Sequence, residues 1–336
     1  MMVHMKTILV TGAGGFLGSH LMLHHLKAGD TVLGVDNHSS SQANSAHVNL
    51  IKSLCGPHNR SVFAKVDINE RGVRGLDGVV SDYFSWMPGR KFDVIYNFAC
   101  PASPPRYQAI PVETMLTCTM GVVNILELAK YHSSIVVHAS TSEVYGDPDV
   151  NPQPESYRGN VNSYGPRACY DEGKRAAEAL CYDYLNKYGV DARMVRIFNT
   201  YGPHMDPYDG RVVSNFICQA LRGEQLTVFG DGSQTRSFCY VDDLIRGIVS
   251  LGSLKQNPKS PINLGNPEEF TVKQLALKVS QKILGEEKPV LFKELPVDDP
   301  TQRKPDITLA NKILDWQPRI TLDLGLDRTI DYFRNF

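Results

Sequence analysis

A chain of 336 residues, 42% of them hydrophobic, is long enough to bury a sizeable core in one large domain or two unequal ones. Its 35 Lys and Arg against 36 Asp and Glu leave no global field to recruit nucleic acid or an anionic membrane, so an anionic ligand needs a local basic pocket. Seven cysteines with no C-x-x-C pair fit neither a disulfide framework nor a zinc site. No signal-like segment opens the chain, and no window approaches the roughly 20 apolar residues of a bilayer span, so the expected location is a reducing cytosol.

From Lys6 to about Asn199, short β-branched or apolar runs alternate with longer amphipathic segments, as expected of parallel strands covered by helices on both faces. The predicted strands are Thr7–Val10, Thr31–Val35, Val62–Val66, Asp93–Phe98, Ile135–Ala139 and Arg193–Phe198. This is an α/β pattern, a Rossmann-type doubly wound sheet over residues 1–199. Beyond Asn199 the alternation fails and turn-rich pieces appear, which predicts a smaller C-terminal domain over most of 200–336. Arg211–Arg222, Thr271–Leu284 and the stretch from Thr308 are its predicted helical parts, while Asp242–Leu251 and Pro261–Leu264 are candidates to return to the main sheet.

The first strand runs into Gly12-Ala13-Gly14-Gly15-Phe16-Leu17-Gly18 and then a helix-like segment, so strand, glycine turn and helix occur in the order a dinucleotide site requires. Gly12 permits the tight turn, Gly15 lets backbone approach a pyrophosphate, and Gly18 lets the helix pack on its strand. The free N–H groups at the helix start then face the phosphates. Asp36 closes the second strand where a carboxylate meets the adenosine ribose hydroxyls, although a plain turn residue is the competing role. No Arg or Lys follows through Asn49 to accept a 2′-phosphate, which favours NAD over NADP. Asp67, at the end of the third strand, is a candidate to face the adenine or simply to cap its loop.

Tyr170 and Lys174 stand four residues apart, on one face of a helix. An ammonium beside a phenol favours the phenolate, lowering its pKa from about 10 so that it can take a hydroxyl proton as hydride leaves carbon. The fifth strand runs into Ser140-Thr141-Ser142-Glu143, placing hydroxyls and a carboxylate at a strand's C-terminal end, where ligands bind in open α/β sheets.

The glycine turn, the hydroxyl-rich strand end and Y-x-x-x-K together resemble the extended short-chain dehydrogenase/reductase superfamily, most of whose members act on nucleotide sugars with tightly held NAD. The finer resemblance is to the UDP-glucuronic acid decarboxylases, or UDP-xylose synthases. It spans nearly the whole chain and rests on Pro101-Ala102-Ser103-Pro104-Pro105-Arg106-Tyr107, Gly165-Pro166-Arg167-Ala168-Cys169-Tyr170-Asp171-Glu172-Gly173-Lys174-Arg175, Asp209-Gly210-Arg211-Val212-Val213-Ser214-Asn215-Phe216 and Gln302-Arg303-Lys304-Pro305-Asp306. That resemblance implies a redox triad of Thr141, Tyr170 and Lys174, with Tyr170 and Lys174 also holding the cofactor beside Phe16, Leu17 and Ala99. Dehydratase relatives read T-D-E where this chain reads Thr141-Ser142-Glu143, so their general-acid aspartate is absent and loss of water is disfavoured. Arg236 matches an arginine placed near the substrate carboxylate and phosphates, with a surface or structural salt bridge as its competing role. Glu143 matches a glutamate that holds the ring or a water, with a strand-end cap as its competing role. Asn199, Arg211 and Arg303 are implied substrate contacts, and so is Tyr107; Asn199 is equally suited to a turn.

The implied reaction converts UDP-glucuronic acid to UDP-xylose through a transient 4-keto sugar, neutral in electrons overall. A 4,6-dehydratase or a 4-epimerase on the same scaffold is the main rival. Ser142 and the Pro101–Tyr107 segment argue against the first, and Glu143 with Arg236 against the second. A silent NAD-binding sensor is the reading from another class, and the presence of both Tyr170 and Lys174 speaks against it. His138, His20, His24 and His25 show no ligand spacing with a third donor, so no metal is expected. Relatives pair through a helix bundle, and the aromatic and alanine positions around Val112–Tyr131 and Ala168–Tyr188 suit a homodimer or intramolecular packing.

Overall fold

A computed structural model describes residues 5–39, 46–56, 58, 60–208, 210–295 and 302–335. Asp209 of the third motif and residues 40–45 after Asp36 lie outside the described residues. Six strands open the fold: β1 (Thr7–Thr11), β2 (Thr31–Asp36), β3 (Val62–Lys65), β4 (Val94–Asn97), β5 (Ile135–Thr141) and β6 (Asp191–Ile197). A seventh, Ile262–Leu264, joins them in one sheet of order Ile262–Leu264, β6, β5, β4, β1, β2, β3, every pairing parallel. Each predicted strand is present, its ends moved by one or two residues; β5 runs on to Thr141 and so carries the hydroxyl itself.

β1 and β2 are buried at every position, and their unbroken apolar runs are what a sheet covered on both faces demands. Successive side chains point to opposite faces, so β1 supplies two cores at once. Ile8 and Val10 pack with Val32, Tyr96 and Val137 against Leu21 and Met22 of α1 (Phe16–Ala28) and Leu244, Ile248 and Leu251 of helix Val241–Ser253. Leu9 packs with Leu33, Ile95 and Val136 against Ile125 and Leu126 of helix Val122–His132 and Ala177 and Cys181 of helix Ala168–Tyr188.

Helices Val212–Leu221, Val272–Leu284 and Leu322–Arg334 belong to the first of these cores through Phe216, Leu275 and Leu326. Val272–Leu284 starts at a reciprocal cap, in which Thr271 Oγ1 accepts the Gln274 N–H at 3.0 Å and Gln274 Oε1 accepts the Thr271 N–H at 2.8 Å. A small sheet orders Glu269–Thr271, Thr235–Ser237 and Gln302–Arg303 side by side, which sets Arg303 next to Arg236 in register. One expectation needs correction. The helical stretch Pro111–His132, at 22 residues, is long and apolar enough to cross a membrane, and half of it is buried. Glu113, Asn124, Glu127 and Lys130 break its apolar run in the sequence, while Val122, Ile125, Leu126 and Ala129 pack into the protein core.

Candidate active site

β1 pairs with β2 on one side and β4 on the other, so the connections diverge at its C-terminal end and leave a crevice there. The crevice is a cavity of about 1060 Å³. Every residue singled out above as catalytic, cofactor-binding or substrate-binding lines it, from Gly12, Gly15, Phe16, Leu17 and Gly18 at one end to Arg211, Arg236 and Arg303 at the other.

Gly12 has φ +66°, and a Cβ there would lie 2.6 Å from the Phe98 carbonyl oxygen. A Cβ at Gly18 would run into the Gly12 carbonyl, so both glycines are needed for the turn and the helix to approach so closely. Gly15 caps α1 in extended backbone, and a Cβ there would meet only the Gly12 oxygen, at 3.3 Å. Bare backbone therefore fronts the helix N-terminus on the cavity side, the cradle a pyrophosphate requires. Asp36, 7% exposed, accepts the Gly14 N–H at 2.9 Å and the His38 N–H at 2.7 Å, which fixes its carboxylate at the cavity rim. Asp67 accepts from Asn37 Nδ2 and from the Asn69 N–H, both at 2.8 Å, so it braces its loop while lining the cavity. Thr11 Oγ1 accepts the N–H groups of Phe98 and Ala99 at 3.0 and 3.1 Å, pinning the end of β4 beside Ala99. These residues fit an adenine dinucleotide with free ribose hydroxyls.

Tyr170 and Lys174 occupy the first two turns of helix Ala168–Tyr188, both buried, with the Lys174 nitrogen 5.7 Å from the Tyr170 ring centre. Lys174 Nζ donates to the Ala139 carbonyl at 2.7 Å, which ties the helix to β5. The expected depression of the phenol is not what the protein alone produces. Burial and then the charge of Cys100 push Tyr170 well above its ordinary value, and a hydrogen bond from Thr141 only partly opposes them. Desolvation is the largest cause. Tyr107 stacks on Tyr170 with ring centres 4.9 Å apart and planes within 5°, and its hydroxyl, although buried, has no hydrogen-bond partner among the described residues.

Ser142 and Glu143 open the 3₁₀ turn Ser142–Tyr145 directly after β5. Glu143 Oε2 accepts from Arg167 Nη2 at 2.6 Å and from Arg303 Nη2 at 3.1 Å. Burial alone would raise its pKa, but the charges of Arg303, Arg167 and Arg236 hold it down at about 2. Glu143 is therefore a fixed anion and not a proton donor. Arg303 is 1% exposed and also donates to the Gly146 carbonyl at 2.5 Å. These hydrogen bonds hold Arg303 against Glu143, and it also lines the cavity. Asp171, one turn after Arg167, has the opposite shift: burial and the Glu143 charge push it up to about 7, with Arg167 and Arg303 opposing. Its Oδ1 has no partner among the described residues.

Arg236 donates to the Thr235 carbonyl at 2.9 Å; the Asn199 carbonyl accepts the Cys239 N–H at 2.9 Å; and Arg211 is the N-cap of Val212–Leu221. Sequence reasoning quoted Arg167 within a motif but gave it no part in the site. Its spacing of four from Asp171 was the available signal; its reach to Glu143 was not legible. Among the described residues no group of three or more His, Cys, Asp or Glu is placed to hold a metal.

A Rossmann sheet with a glycine cradle, a carboxylate closing β2 beside it and a buried Tyr, Lys and Thr at its C-terminal edge defines a dinucleotide-dependent class, and the chain's relatives agree. Residues 8–265 match the NAD dependent epimerase/dehydratase family, to which the chain belongs. Within that class it is similar to UDP-glucuronic acid decarboxylase 1 of Xenopus tropicalis, 46% identical across 98% of this chain and 72% of that protein. UDP-glucuronic acid decarboxylase 3 of Arabidopsis thaliana is 44% identical across 97% and 89%. Among solved structures, the UDP-glucuronic acid 4-epimerase from Bacillus cereus in complex with UDP-glucuronic acid and NAD is 29% identical, with a TM-score of 0.81 over 98% of this chain and 99% of that one. The UDP-glucose 4-epimerase of Thermotoga maritima with UDP-glucose is 28% identical, with a TM-score of 0.84 over 98% and 99%. NAD is the cofactor these findings assign.

Proposed function

We propose that this protein decarboxylates UDP-glucuronic acid to UDP-xylose, with no net consumption of NAD. The observation that carries the proposal is the arginine cluster facing the Tyr170 end of the cavity. Arg167, Arg236 and Arg303 bring three positive charges against the firmly ionised Glu143, while Asp171 is pushed towards its neutral form. An excess of cation in a partly buried site suits a substrate with its own carboxylate and diphosphate. Names of relatives at 44–46% identity over nearly the whole chain support the same substrate.

When bound, NAD supplies the acceptor and later the donor of the hydride at sugar C4, and a cationic ring whose charge favours the Tyr170 phenolate. Thr141 and Tyr170 hold the 4-hydroxyl, and Tyr170 takes its proton. Lys174, anchored on Ala139, keeps the phenol in place. The resulting β-keto acid loses carbon dioxide because the C4 carbonyl accepts the electron pair left on C5. Ser142 offers no acid to expel a hydroxyl, so elimination of water does not compete. Glu143, ionised between its two arginines, accepts a hydrogen bond from a ring hydroxyl or from the water that returns a proton to C5. Asn199, Arg211 and Arg236 line the end of the cavity suited to the sugar nucleotide.

The same proposal includes a cytosolic homodimer. The side chains of Val112, Met120 and Tyr182, 65%, 49% and 63% exposed, lie on the helical stretches predicted to pair and support it.

The test is incubation with UDP-glucuronic acid and NAD, followed by proton NMR. UDP-xylose without stoichiometric NADH is the expected product. UDP-galacturonic acid instead would make the protein an epimerase like its structural relative, and an inert uronate beside a converted neutral hexose would favour a dehydratase or hexose epimerase.

A further inference from the structure

Two thiols that the proposed reaction does not use meet behind Tyr170. Cys100 follows β4 and lines the cavity, and Cys118 is buried in the widened helical turn Thr117–Gly121. Their sulfurs are 3.5 Å apart. Cys118 lies against the helix that carries the Tyr–Lys pair, since a Cβ at Gly173 would sit 3.0 Å from the Cys118 Cβ. All seven cysteines are unbridged.

We propose that Cys100 and Cys118 are a two-thiol oxidation site that a hydroperoxide converts reversibly to a disulfide. The S–H of Cys100 and then the Lys174 ammonium draw Cys118 down to about 7 against its burial, so near neutral pH the pair shares a single proton between two sulfurs. The hydrogen bond to Cys118 and then burial hold Cys100 well above its ordinary value, so Cys100 keeps the proton at rest and passes it to the Cys118 sulfur, 3.5 Å away, as the cavity-facing Cys100 becomes the nucleophile. Cys100 attacks the peroxide, breaking its O–O bond and becoming a sulfenic acid as hydroxide or an alkoxide leaves and takes a proton from solvent. The Cys118 sulfur then forms the S–S bond to Cys100 and expels hydroxide, which takes up the remaining proton as water. The two sulfurs are oxidised by two electrons and the peroxide is reduced by two. Closure brings the sulfurs from 3.5 Å to the roughly 2.05 Å of a disulfide, a movement a loop end and a widened turn can supply.

The chemistry is independent of the sugar reaction and is read on the wild-type protein as purified. Treatment with hydrogen peroxide, then thiol blocking and peptide mass mapping, is expected to give a Cys100–Cys118 linked peptide that dithiothreitol removes. In Cys118→Ser, Cys100 has no resolving partner, and dimedone should label it at least tenfold more than in the wild type. A bridge from either residue to Cys169, equal dimedone labelling in both proteins, or no oxidation at peroxide levels that oxidise free cysteine would each overturn the assignment.

Discussion

Glu143 Oε2 stands 2.6 Å from Arg167 Nη2, a pair that joins the turn after β5 to the start of helix Ala168–Tyr188. With Arg303 at 3.1 Å on the same oxygen, the carboxylate is locked in one orientation at the cavity wall. The lock has a stability signature. Its folded pKa of about 2 lies below the ordinary 4.5, so the stabilisation is present above about pH 4.5 and disappears as the pH falls through 2. The gap corresponds to on the order of 3 kcal/mol. Glu143→Gln should therefore lower the unfolding free energy at pH 7 by about that amount, with the difference narrowing in denaturant titrations towards pH 2. It should also cut turnover by about 100-fold through lost positioning. A pH-independent stability gap would contradict the ion-pair account.

Asp171 gives the opposite sign. Its folded pKa of about 7 exceeds the ordinary 3.8, so ionising it in the fold costs stability progressively from about pH 4 to 7, and the loss persists above that. Asp171→Asn is expected to unfold at a higher temperature than the wild type at pH 8 and at the same temperature near pH 4. Calorimetry at the two pH values decides it, and a variant less stable at pH 8 would mean that Arg167 depends on this carboxylate.

Tyr170→Phe removes the phenolic oxygen but keeps the ring stacked on Tyr107. Turnover should fall by roughly 10³-fold, within the range for losing a general base, while NAD remains bound and the melting temperature changes little. NAD content of the purified variant and single-turnover kinetics check both halves. A variant as fast as the wild type would take Tyr170 out of the proton transfer.

Asp36→Ala takes the acceptor from the Gly14 and His38 N–H groups and from the ribose edge together. NAD should bind roughly 10- to 100-fold more weakly, as expected when about 1.5–3 kcal/mol of charged hydrogen bonding is lost. Discrimination against NADP should narrow, because the carboxylate no longer repels a 2′-phosphate. Calorimetric titration with both cofactors measures the two effects, and unchanged NAD affinity would leave Asp36 a turn residue only.

The parts of this protein legible in its sequence are those set by local periodicity. Unbroken apolar runs marked strands buried on both faces, glycines three apart marked the turn that becomes a cradle, and the spacing of four between Tyr170 and Lys174 put both on one helical face. These patterns are written within a few residues, so backbone geometry alone converts them into structure. The apolar stretch Pro111–His132 was missed because Glu113, Asn124, Glu127 and Lys130 interrupt its apolar run.

Tertiary structure alone decided the charge states. Glu143 and Arg303 are 160 positions apart, and they meet because Gln302–Arg303 adds to a strand carrying Arg236. Burial then reversed the expected shift of Tyr170 and, with the Glu143 charge, pushed Asp171 up to about 7, while Arg303, Arg167 and Arg236 overcame burial to keep Glu143 ionised. Cys100 and Cys118, 18 positions apart with no motif between them, likewise meet only in the fold. Residue type sets which charges are available; desolvation and distance, which depend on how separate segments dock, set which of them exist at working pH.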